Sequence, residues 1–405
     1  MFPRIVLRFL NRNLGSNCKK SLRKINFAQI IVPSCHVLSC HQNCTRFYTP
    51  DTKSVPTAIK STAASKDEAR EFMAIFPDLV RSITDSIGHR DGPELAKWCA
   101  KVLQYNVPGG KKNRGLALVL TYKLLKSKLT KDEIFLAQVM GWCIEILQAK
   151  MLVADDIMDN SLTRRGRPCW YLTHNLGVKA LNDALLLGGS LFYVLKKYFK
   201  NEPYYVDILD LFHDVMMKTF LGQHLDTHTA LGTSVDLNKF TMARYNLICK
   251  YKTSYYSFVL PIQSAMYMAG ITDIELHRQA KTILLEMGHF FQVQDDYLDC
   301  FGDPEVMGKQ GTDIQDGKCT WLAVVALQRV NKEQRKIMED CYGQSGSDEV
   351  AKIKRLYEEI GIPATYGIYE EETFNIISTH IQQISQGLPH ELFLTLMNKI
   401  YRRQS

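Results

Sequence analysis

The stretch QAKMLVADDIMDNSLTRRGRPCWY, from Gln148 to Tyr171, contains an apolar run that ends in three carboxylates and is followed by paired arginines. Polar residues are few between Ile134 and Met158, so the predicted helix is apolar on nearly every side. Such a helix belongs at the centre of a fold, surrounded by other helices. Thr130 and Glu133 form a capping-box pattern at its start. The stretch therefore predicts a central buried helix with acidic groups at its carboxyl end.

The rest of the chain shows the same helical period. From Glu68 onward the apolar residues recur at helical spacing, and the two-residue alternation of strands is almost absent. Glycine- and proline-rich breaks at 302–311 and 343–346 separate later helices. These patterns predict an all-α fold in one domain over residues 68–405.

The net charge of the chain is concentrated in its first fifty residues. The 405 residues are 46% hydrophobic and 23% charged, with a formal net charge of +8. Residues 1–50 hold eight Lys or Arg and no acid, which leaves 42 basic and 42 acidic residues in 51–405. Arg4, Arg8 and Arg12 recur at helical spacing in a segment typical of a mitochondrial transit peptide. We therefore predict a transit peptide over 1–50 and a linker over 51–67; a basic tail retained in the cytoplasm is the alternative.

The composition argues against several classes of protein. The charge balance of residues 51–405 gives no indication of a nucleic-acid partner. No uninterrupted apolar run approaches the roughly 20 residues that span a bilayer, so we expect no integral membrane segment. The eleven cysteines are scattered, and the seven after residue 50 are expected to be free thiols. The segment CHVLSCHQNC lacks a C-x-x-C pair and lies in the predicted leader, so we expect no zinc site there.

The pattern DDxxD occurs twice, each time after an apolar helical run. Residues at i and i+4 share one face of a helix, so the carboxylates repel and raise one another's pKa. Mg²⁺ takes one or two carboxylates and leaves its other positions to water and phosphate. One such motif is explained by a solvated helix end, whereas two on buried helices favour a metal-assisted phosphate site. The two copies are Asp155, Asp156 and Asp159, and Asp295, Asp296 and Asp299.

Basic residues lie beside these motifs. Arginine binds phosphate bidentately and lysine binds it as a point charge, so cations near metal-binding carboxylates indicate a diphosphate substrate. A glycine turn, Gly109–Gly110, precedes the first group of cations. The basic residues concerned are Lys111, Lys112, Arg114, Arg164, Arg165, Lys252 and Lys309.

At these motifs the chain resembles the short-chain trans-prenyl diphosphate synthase family, and within it the farnesyl diphosphate synthases of animals. The matching segments include GGKKNRG, LVADDIMDNSLTRRGRPCWY, GQHLD, KYKTSYYSF, FFQVQDDYLDCFGDP and GKQGTDIQDGKCTWL, in the family's order, from about residue 70 to the C-terminus. The resemblance implies a helical bundle around a deep central cavity, assembled as a homodimer. It implies coupling of an allylic diphosphate, dimethylallyl or geranyl, to isopentenyl diphosphate, with three Mg²⁺, or Mn²⁺ or Co²⁺, in each active site.

The resemblance also assigns roles at matching positions. The implied metal ligands are Asp155, Asp156, Asp159, Asp295 and Asp299, supported by Asp296. The implied allylic-diphosphate contacts are Arg164, Lys252 and Lys309, with Gln223 as a further substrate-binding residue. The implied isopentenyl-diphosphate contacts are Lys111, Arg114, Gln148 and Arg165. Thr253 and Gln292 would stabilise the carbocation and assist proton loss; with Asp155, Asp156, Lys252 and Asp295 they form the predicted catalytic set.

Two positions depart from the family pattern. Farnesyl synthases commonly carry two phenylalanines just before LVADD, where this chain has Lys150 and Met151. At about 100° per residue, Met151 lies roughly 40° from Asp155 around the helix and Lys150 roughly 140° from it. Met151 is the better candidate for the cavity floor. Lys150 is expected against a neighbouring helix or a dimer partner, or extended towards polar groups with its stem over apolar surface; the alternative is a tolerated substitution at the cavity edge. Our hypothesis is that the pair shortens the product to geranyl (C10) diphosphate, alone or mixed with farnesyl (C15).

Other functions remain open at the level of sequence. Some family members have become terpene synthases, which ionise a prenyl diphosphate without coupling it, but the four implied isopentenyl-diphosphate contacts are all present here. A catalytically inactive subunit would be expected to have broken DDxxD motifs, and both are intact. The C-terminal KIYRRQS resembles the basic tail that closes over bound substrate, which makes Arg402 and Arg403 candidate phosphate contacts.

Overall fold

Helices make up most of the chain that the structure describes. The structure is a computed structural model, and it describes residues 66–87, 92–229, 235–307, 311–384 and 387–401. The predicted leader, most of the linker, Lys309, Arg402 and Arg403 lie outside these residues. The helices are α1 (Lys66–Asp85), α2 (Pro93–Asn106), α3 (Asn113–Leu125), α4 (Lys131–Met158), α5 (Ala180–Phe199), α6 (Tyr205–Thr229), α7 (Met242–Ile248), α8 (Leu260–Met268), α9 (Ile274–Phe301), α10 (Pro304–Met307), α11 (Trp321–Leu327), α12 (Lys332–Cys341), α13 (Ser347–Glu359), α14 (Ile362–Gln382) and α15 (His390–Ile400).

Between these helices lie a few short elements. A π-helical segment, Cys249–Val259, joins α7 to α8. Strands β1 (Thr163–Arg164) and β2 (Arg167–Pro168) form a small antiparallel hairpin after α4. Apart from this hairpin the described residues contain no strand, so the predicted all-α class is confirmed.

Helix α4 is the central helix that the opening stretch predicts. Its capping box is formed, since the Glu133 N–H donates to Thr130 Oγ1 at 3.2 Å and the Thr130 N–H donates to Glu133 Oε2 at 2.8 Å. Trp142 is fully buried, stacks on Phe72 of α1 with ring centroids 4.6 Å apart, and donates to its carbonyl at 2.9 Å. Helices α1, α3, α5 and α8 all pack on α4. Burial on every side explains why its sequence is apolar all round.

Two glycines let neighbouring helices approach the π-helical segment. A Cβ added to Gly222 of α6 would lie 2.1 Å from the backbone nitrogen of Lys252. A Cβ added to Gly288 of α9 would lie 2.3 Å from Ser254 Oγ. Helices α6 and α9 therefore pack directly on the backbone of this segment, because neither glycine has a side chain.

Two described helical stretches, α4 and Gly177–Phe199, are long and apolar enough to cross a membrane by length and composition alone. In α4, 72% of the apolar window is buried, as in the core helix of a soluble protein. In Gly177–Phe199 only 44% is buried, which leaves apolar side chains on the surface. The seven cysteines of the described residues are free and buried, as expected for reduced thiols.

Candidate active site

The first DDxxD motif lies at the carboxyl end of α4, among cationic and amide groups. Gln223 of α6 donates to Asp155 Oδ1 at 2.7 Å, and Lys252 Nζ lies 3.5 Å from the same oxygen. Burial alone would raise the pKa of Asp155, but the positive charges of Lys252 and Lys318 outweigh burial and hold it below its ordinary value. Asp155 is therefore held as a carboxylate, in contact with two residues that the sequence assigns to this site.

Asp226 and Lys318 join this cluster, although the sequence assigns neither to the site. Lys318 Nζ donates to Asp159 Oδ1 at 2.8 Å and to Asp226 Oδ2 at 3.0 Å, and Lys252 Nζ donates to the same Asp226 oxygen at 2.6 Å. Burial opposes ionisation of Asp226, but the two lysines lower its pKa to about 2. Asp226 lies in the motif GQHLD and Lys318 lies in GTDIQDGKCTWL, and both motifs carry the family resemblance. Membership of these motifs is the sequence signal that could have indicated the two residues.

Asp156 faces the hairpin instead of the lysines. Arg164 donates to Asp156 Oδ1 from Nε at 2.9 Å and from Nη2 at 2.6 Å. Burial favours the neutral form of Arg164, but Asp156 outweighs burial and raises the guanidinium pKa. The same Nη2 lies 3.9 Å from Asp155 Oδ2. Arg164 therefore lies against both adjacent carboxylates of the motif.

The second motif lies on α9 and is bound to its surroundings through Gln292. Thr253 Oγ1 donates to Gln292 Oε1 at 2.6 Å, and Gln292 Nε2 donates to Asp296 Oδ1 at 2.9 Å. The backbone N–H of Trp321 donates to the other Asp296 oxygen at 2.8 Å. Burial raises the pKa of Asp296 to about 7, although these hydrogen bonds oppose the rise. Asp299 Oδ2 accepts from the Asp313 N–H at 3.0 Å.

The π-helical segment connects the two motifs. Lys252 and Thr253 are consecutive, yet Lys252 reaches Asp155 of the first motif and Thr253 reaches Gln292, one turn before Asp296 of the second. π-Helical turns are uncommon and occur often at functional sites. The segment thus brings both acidic motifs to one region, as their repetition predicted.

A second group of polar residues surrounds Arg114 near the start of α3. Arg114 donates to Ser257 Oγ at 2.7 Å and to Tyr256 Oη at 3.0 Å. With the Gln148 amide oriented to suit both neighbours, its oxygen accepts from Arg114 Nη1 at 2.7 Å and its nitrogen donates to Glu145 at 3.2 Å. The structure therefore brings together Arg114 and Gln148, two of the residues that the resemblance assigns to isopentenyl diphosphate.

Further cations lie beside the glycine turn. Arg165 has a positive φ of 56° and packs on the turn, so a Cβ on Gly110 would lie 2.8 Å from its Nε. Burial lowers the pKa of Lys112 to about 8, although Glu145 opposes the fall. Lys111, next to it, is exposed. A cavity of about 90 Å³ is bordered by this turn, Arg164 and Arg165. The guanidinium groups of Arg164 and Arg165 therefore border one cavity next to the first motif, which favours an anionic ligand there.

Lys150 and Met151 occupy different environments. Lys150 Nζ lies 4.6 Å from the centroid of the Phe220 ring on α6, and its Cδ would lie 3.3 Å from a Cβ on Gly188 of α5. Burial lowers the pKa of Lys150. Lys150 therefore contacts neighbouring helices, one of the locations expected for it, while Met151 is half-buried and packs against the core.

The carboxylates suit a hard cation that also binds phosphate. Within the described ranges, no group of three or more His, Cys, Asp or Glu side chains is close enough to hold one ion. Mg²⁺ needs only one or two carboxylates beside water and phosphate, so two carboxylates from either DDxxD motif suffice. Burial and the charge of Asp155 raise the pKa of Asp159, although Lys318 opposes them, and a bound cation would relieve that repulsion. The donor set fits Mg²⁺.

Known proteins share this sequence and fold. The family model for polyprenyl synthetase matches residues 96–360. A farnesyl pyrophosphate synthase of Nezara viridula is 53% identical over 350 residues, covering 86% of this chain and 85% of that protein. The farnesyl pyrophosphate synthase of Gallus gallus is 52% identical, covering 83% and 93% respectively. A solved T. brucei farnesyl diphosphate synthase complexed with risedronate superposes with a TM-score of 0.77 at 34% identity, covering 83% of this chain and 99% of that one.

These matches extend over most of the chain and include both acidic motifs and the π-helical segment between them. The family predicted from the motifs is confirmed, together with its all-helical fold. The chain belongs to the polyprenyl synthetase family, and its enzyme class is that of the short-chain prenyl diphosphate synthases.

Proposed function

We propose that this protein couples dimethylallyl and then geranyl diphosphate to isopentenyl diphosphate and so makes farnesyl diphosphate. One observation carries the proposal: two distinct polar clusters, one around Asp155 and Lys252 and one around Arg114 and Gln148, lie along the same central helix. A coupling enzyme must hold two diphosphates at once, and each cluster offers one binding site. The farnesyl pyrophosphate synthases that resemble this chain support the same substrates.

The cluster around Asp155 would bind the allylic diphosphate and favour its ionisation. Breaking the carbon–oxygen bond builds negative charge on the leaving diphosphate, and Lys252 and Arg164 would stabilise that charge. Asp155, Asp159 and the acids of the second motif would hold Mg²⁺, which supplies Lewis-acid stabilisation of the same charge when bound. Preorganised charges at this position need no reorganisation as the bond breaks.

The π-helical segment would act on the hydrocarbon fragment. The Thr253 hydroxyl donates a hydrogen bond to the Gln292 amide oxygen at 2.6 Å, next to the predicted diphosphate site. Their lone pairs would stabilise the allylic cation electrostatically, and one of these oxygens or the released diphosphate would take the proton lost after coupling. Apolar walls provided by α4 would keep bulk water from the cation.

The cluster around Arg114 would hold isopentenyl diphosphate. Arg165 and the glycine turn border the cavity. Arg114 and the exposed Lys111 would supply further donors to the diphosphate. A terpene synthase without a coupling step would not need these donors. Their arrangement therefore favours coupling over the lyase alternative.

Product length is a finer part of the proposal. Lys150 stands where farnesyl synthases commonly have the first of two phenylalanines before LVADD. Its side chain lies against Phe220 and Gly188. Met151 is left as the candidate cavity floor. We propose that geranyl diphosphate accompanies farnesyl diphosphate among the products.

A homodimer is supported by an exposed apolar surface on α5 and α6. Leu185 is 62% exposed and Met217 58% exposed, and Leu181, Phe220 and Leu221 of the same two helices are also exposed. Exposed apolar surface is a feature of protein–protein interfaces. Sedimentation analysis tests the dimer, since Leu185→Asp should convert it to monomer.

The mitochondrial location rests on residues 1–50 alone, and fusing them to a fluorescent protein tests it.

The decisive test of the function follows label from isopentenyl diphosphate. Purified protein with Mg²⁺ and dimethylallyl diphosphate should incorporate the label into an acid-labile prenyl diphosphate. Asp155→Asn should reduce incorporation by about 100-fold or more, because it removes charge from the predicted metal site. Asp78→Asn, a change on the exposed face of α1, is the matched control and should leave the rate unchanged. Full incorporation by Asp155→Asn would refute the role of this motif.

A further inference from the structure

His224 and His228 form a pair on the last turns of α6. They are four residues apart, their ring centroids are 3.6 Å apart, and both side chains are exposed. Residues at i and i+4 share one helix face, and two histidines at this spacing are a recurrent metal-binding pair. Neither residue has a role in the proposed coupling reaction.

A backbone contact fixes the tautomer of His228. Its Nδ1 lies 3.0 Å from the carbonyl oxygen of His224. A carbonyl can only accept, so in the neutral ring Nδ1 carries the proton and Nε2 keeps its lone pair. Metal-binding histidines characteristically donate their second ring N–H to a carbonyl or carboxylate in this way. The Nε2 nitrogen of His228 is therefore available as a ligand.

The pair lies on the side of α6 away from the acidic site. Around a helix, His224 is about 100° from Gln223 and about 200° from Asp226. Those two residues contact Asp155 and the lysines, whereas His224 and His228 face outward. A cation held there would also lie at the carboxyl end of α6, where the helix dipole favours positive charge.

We propose that His224 and His228 bind one divalent transition-metal ion through two imidazoles, with water completing its coordination. Imidazole suits Cu²⁺, Ni²⁺ and Zn²⁺, whereas Mg²⁺ prefers oxygen ligands, so the site differs in metal class from the carboxylate motifs. The affinity should follow the order Cu²⁺ above Ni²⁺.

Isothermal titration of the full chain tests the site. Excess Mg²⁺ first occupies the carboxylates, and Ni²⁺ or Cu²⁺ is then added. We expect one ion per chain, with binding weakened by about tenfold or more when His224→Gln and His228→Gln are combined. His213→Gln, an exposed position on the same helix, is the matched control and should keep wild-type affinity. Circular dichroism and the coupling rate should be unchanged in the double variant.

Two results would overturn the site. One is equal affinity of the double variant and the wild type, which would place the ion elsewhere. The other is no binding by the wild type, as expected if a partner subunit covers the pair. Both readouts are independent of coupling activity, so failure of the proposed function would leave this test intact.

Discussion

The ammonium group of Lys318 lies 2.8 Å from a carboxylate oxygen of Asp159, although 159 residues separate the two along the chain. The same ammonium reaches Asp226 at 3.0 Å, and Asp226 in turn accepts from Lys252. A buried ion pair of this kind costs desolvation but becomes strongly destabilising when one partner is removed. Lys318 therefore ties the loop before α11 to the first acidic motif.

Replacing Lys318 by Gln should lower kcat by about 100-fold, because a fixed positive charge next to the predicted diphosphate site is lost. It should also lower the free energy of unfolding by about 3 kcal/mol, since Asp226 stays buried with one partner fewer. Steady-state kinetics and urea unfolding measure the two effects. Lys352→Gln, an exposed lysine on α13, is the control. Wild-type kcat in Lys318→Gln would show that this charge does not contribute to the reaction.

Replacing Arg114 by Gln should raise KM for isopentenyl diphosphate by about 10-fold or more and leave KM for the allylic substrate nearly unchanged. The reason is that charge-assisted hydrogen bonds from Arg114 serve only one of the two substrates in our proposal. Initial rates with each substrate varied in turn separate the two constants. The exposed Arg70→Gln change on α1 should alter neither. An equal rise in both KM values would contradict separate sites.

Replacing Gly222 by Ala should displace the π-helical segment, because the added Cβ would meet the Lys252 nitrogen at 2.1 Å. Overpacking of this kind costs about 1–3 kcal/mol in stability, and a shift of Lys252 should also lower kcat. Gly367→Ala on α14 is the matched control, since a Cβ there has no neighbour within 4 Å and alanine favours the helix. Urea unfolding and steady-state kinetics should therefore show a lower free energy of unfolding and a lower kcat for Gly222→Ala. The control should keep its kcat and lose no stability. Similar behaviour of both would exclude tight packing at Gly222.

Replacing Lys150 and Met151 together by Phe should shift products from the geranyl towards the farnesyl chain length. The reason is that the double change restores the aromatic pair found in farnesyl synthases, while the wild-type lysine lies against Phe220. Chromatography of the dephosphorylated alcohols gives the ratio. Lys101→Phe, exposed on α2, is the control for a general effect of added aromatic surface. Purely C15 output from both the wild type and the double variant would refute a role of this pair in product length.

Stability should fall as the pH drops from about 6.5 to about 4, in part because of His289. Burial lowers the pKa of His289 to about 4, and its ring nitrogens lie 2.8 Å from Asn246 Oδ1 and 3.1 Å from the Tyr369 hydroxyl. The unfolded chain therefore binds a proton in this window that the folded chain does not, which costs at most about 3 kcal/mol.

Urea unfolding at pH 7 and pH 4.5 checks this pH dependence. His289→Gln should reduce the loss of stability between the two pH values, because glutamine does not titrate. The exposed His213→Gln change should leave that loss as in the wild type. An unchanged pH dependence in His289→Gln would assign the acid sensitivity to other groups.

The sequence predicted features that depend on local periodicity. Helix α4, its capping box and the positions of both DDxxD motifs follow from spacing along one helix, and the angular separation of Lys150 from Asp155 follows from helix geometry. The contact between Lys318 and Asp226 could not be predicted in this way, because it joins segments far apart in sequence. The π-helical segment was also missed, since a π-helical turn is a change in backbone hydrogen bonding inside a helical run.

Identification of the products formed from dimethylallyl and isopentenyl diphosphates tests the central claim most directly. Purified protein with Mg²⁺ should consume isopentenyl diphosphate, and phosphatase treatment should release farnesol, accompanied by geraniol. Removal of Mg²⁺ by a chelator should abolish both products. Release of terpene hydrocarbon from geranyl or farnesyl diphosphate, with no isopentenyl diphosphate consumed, would contradict the account.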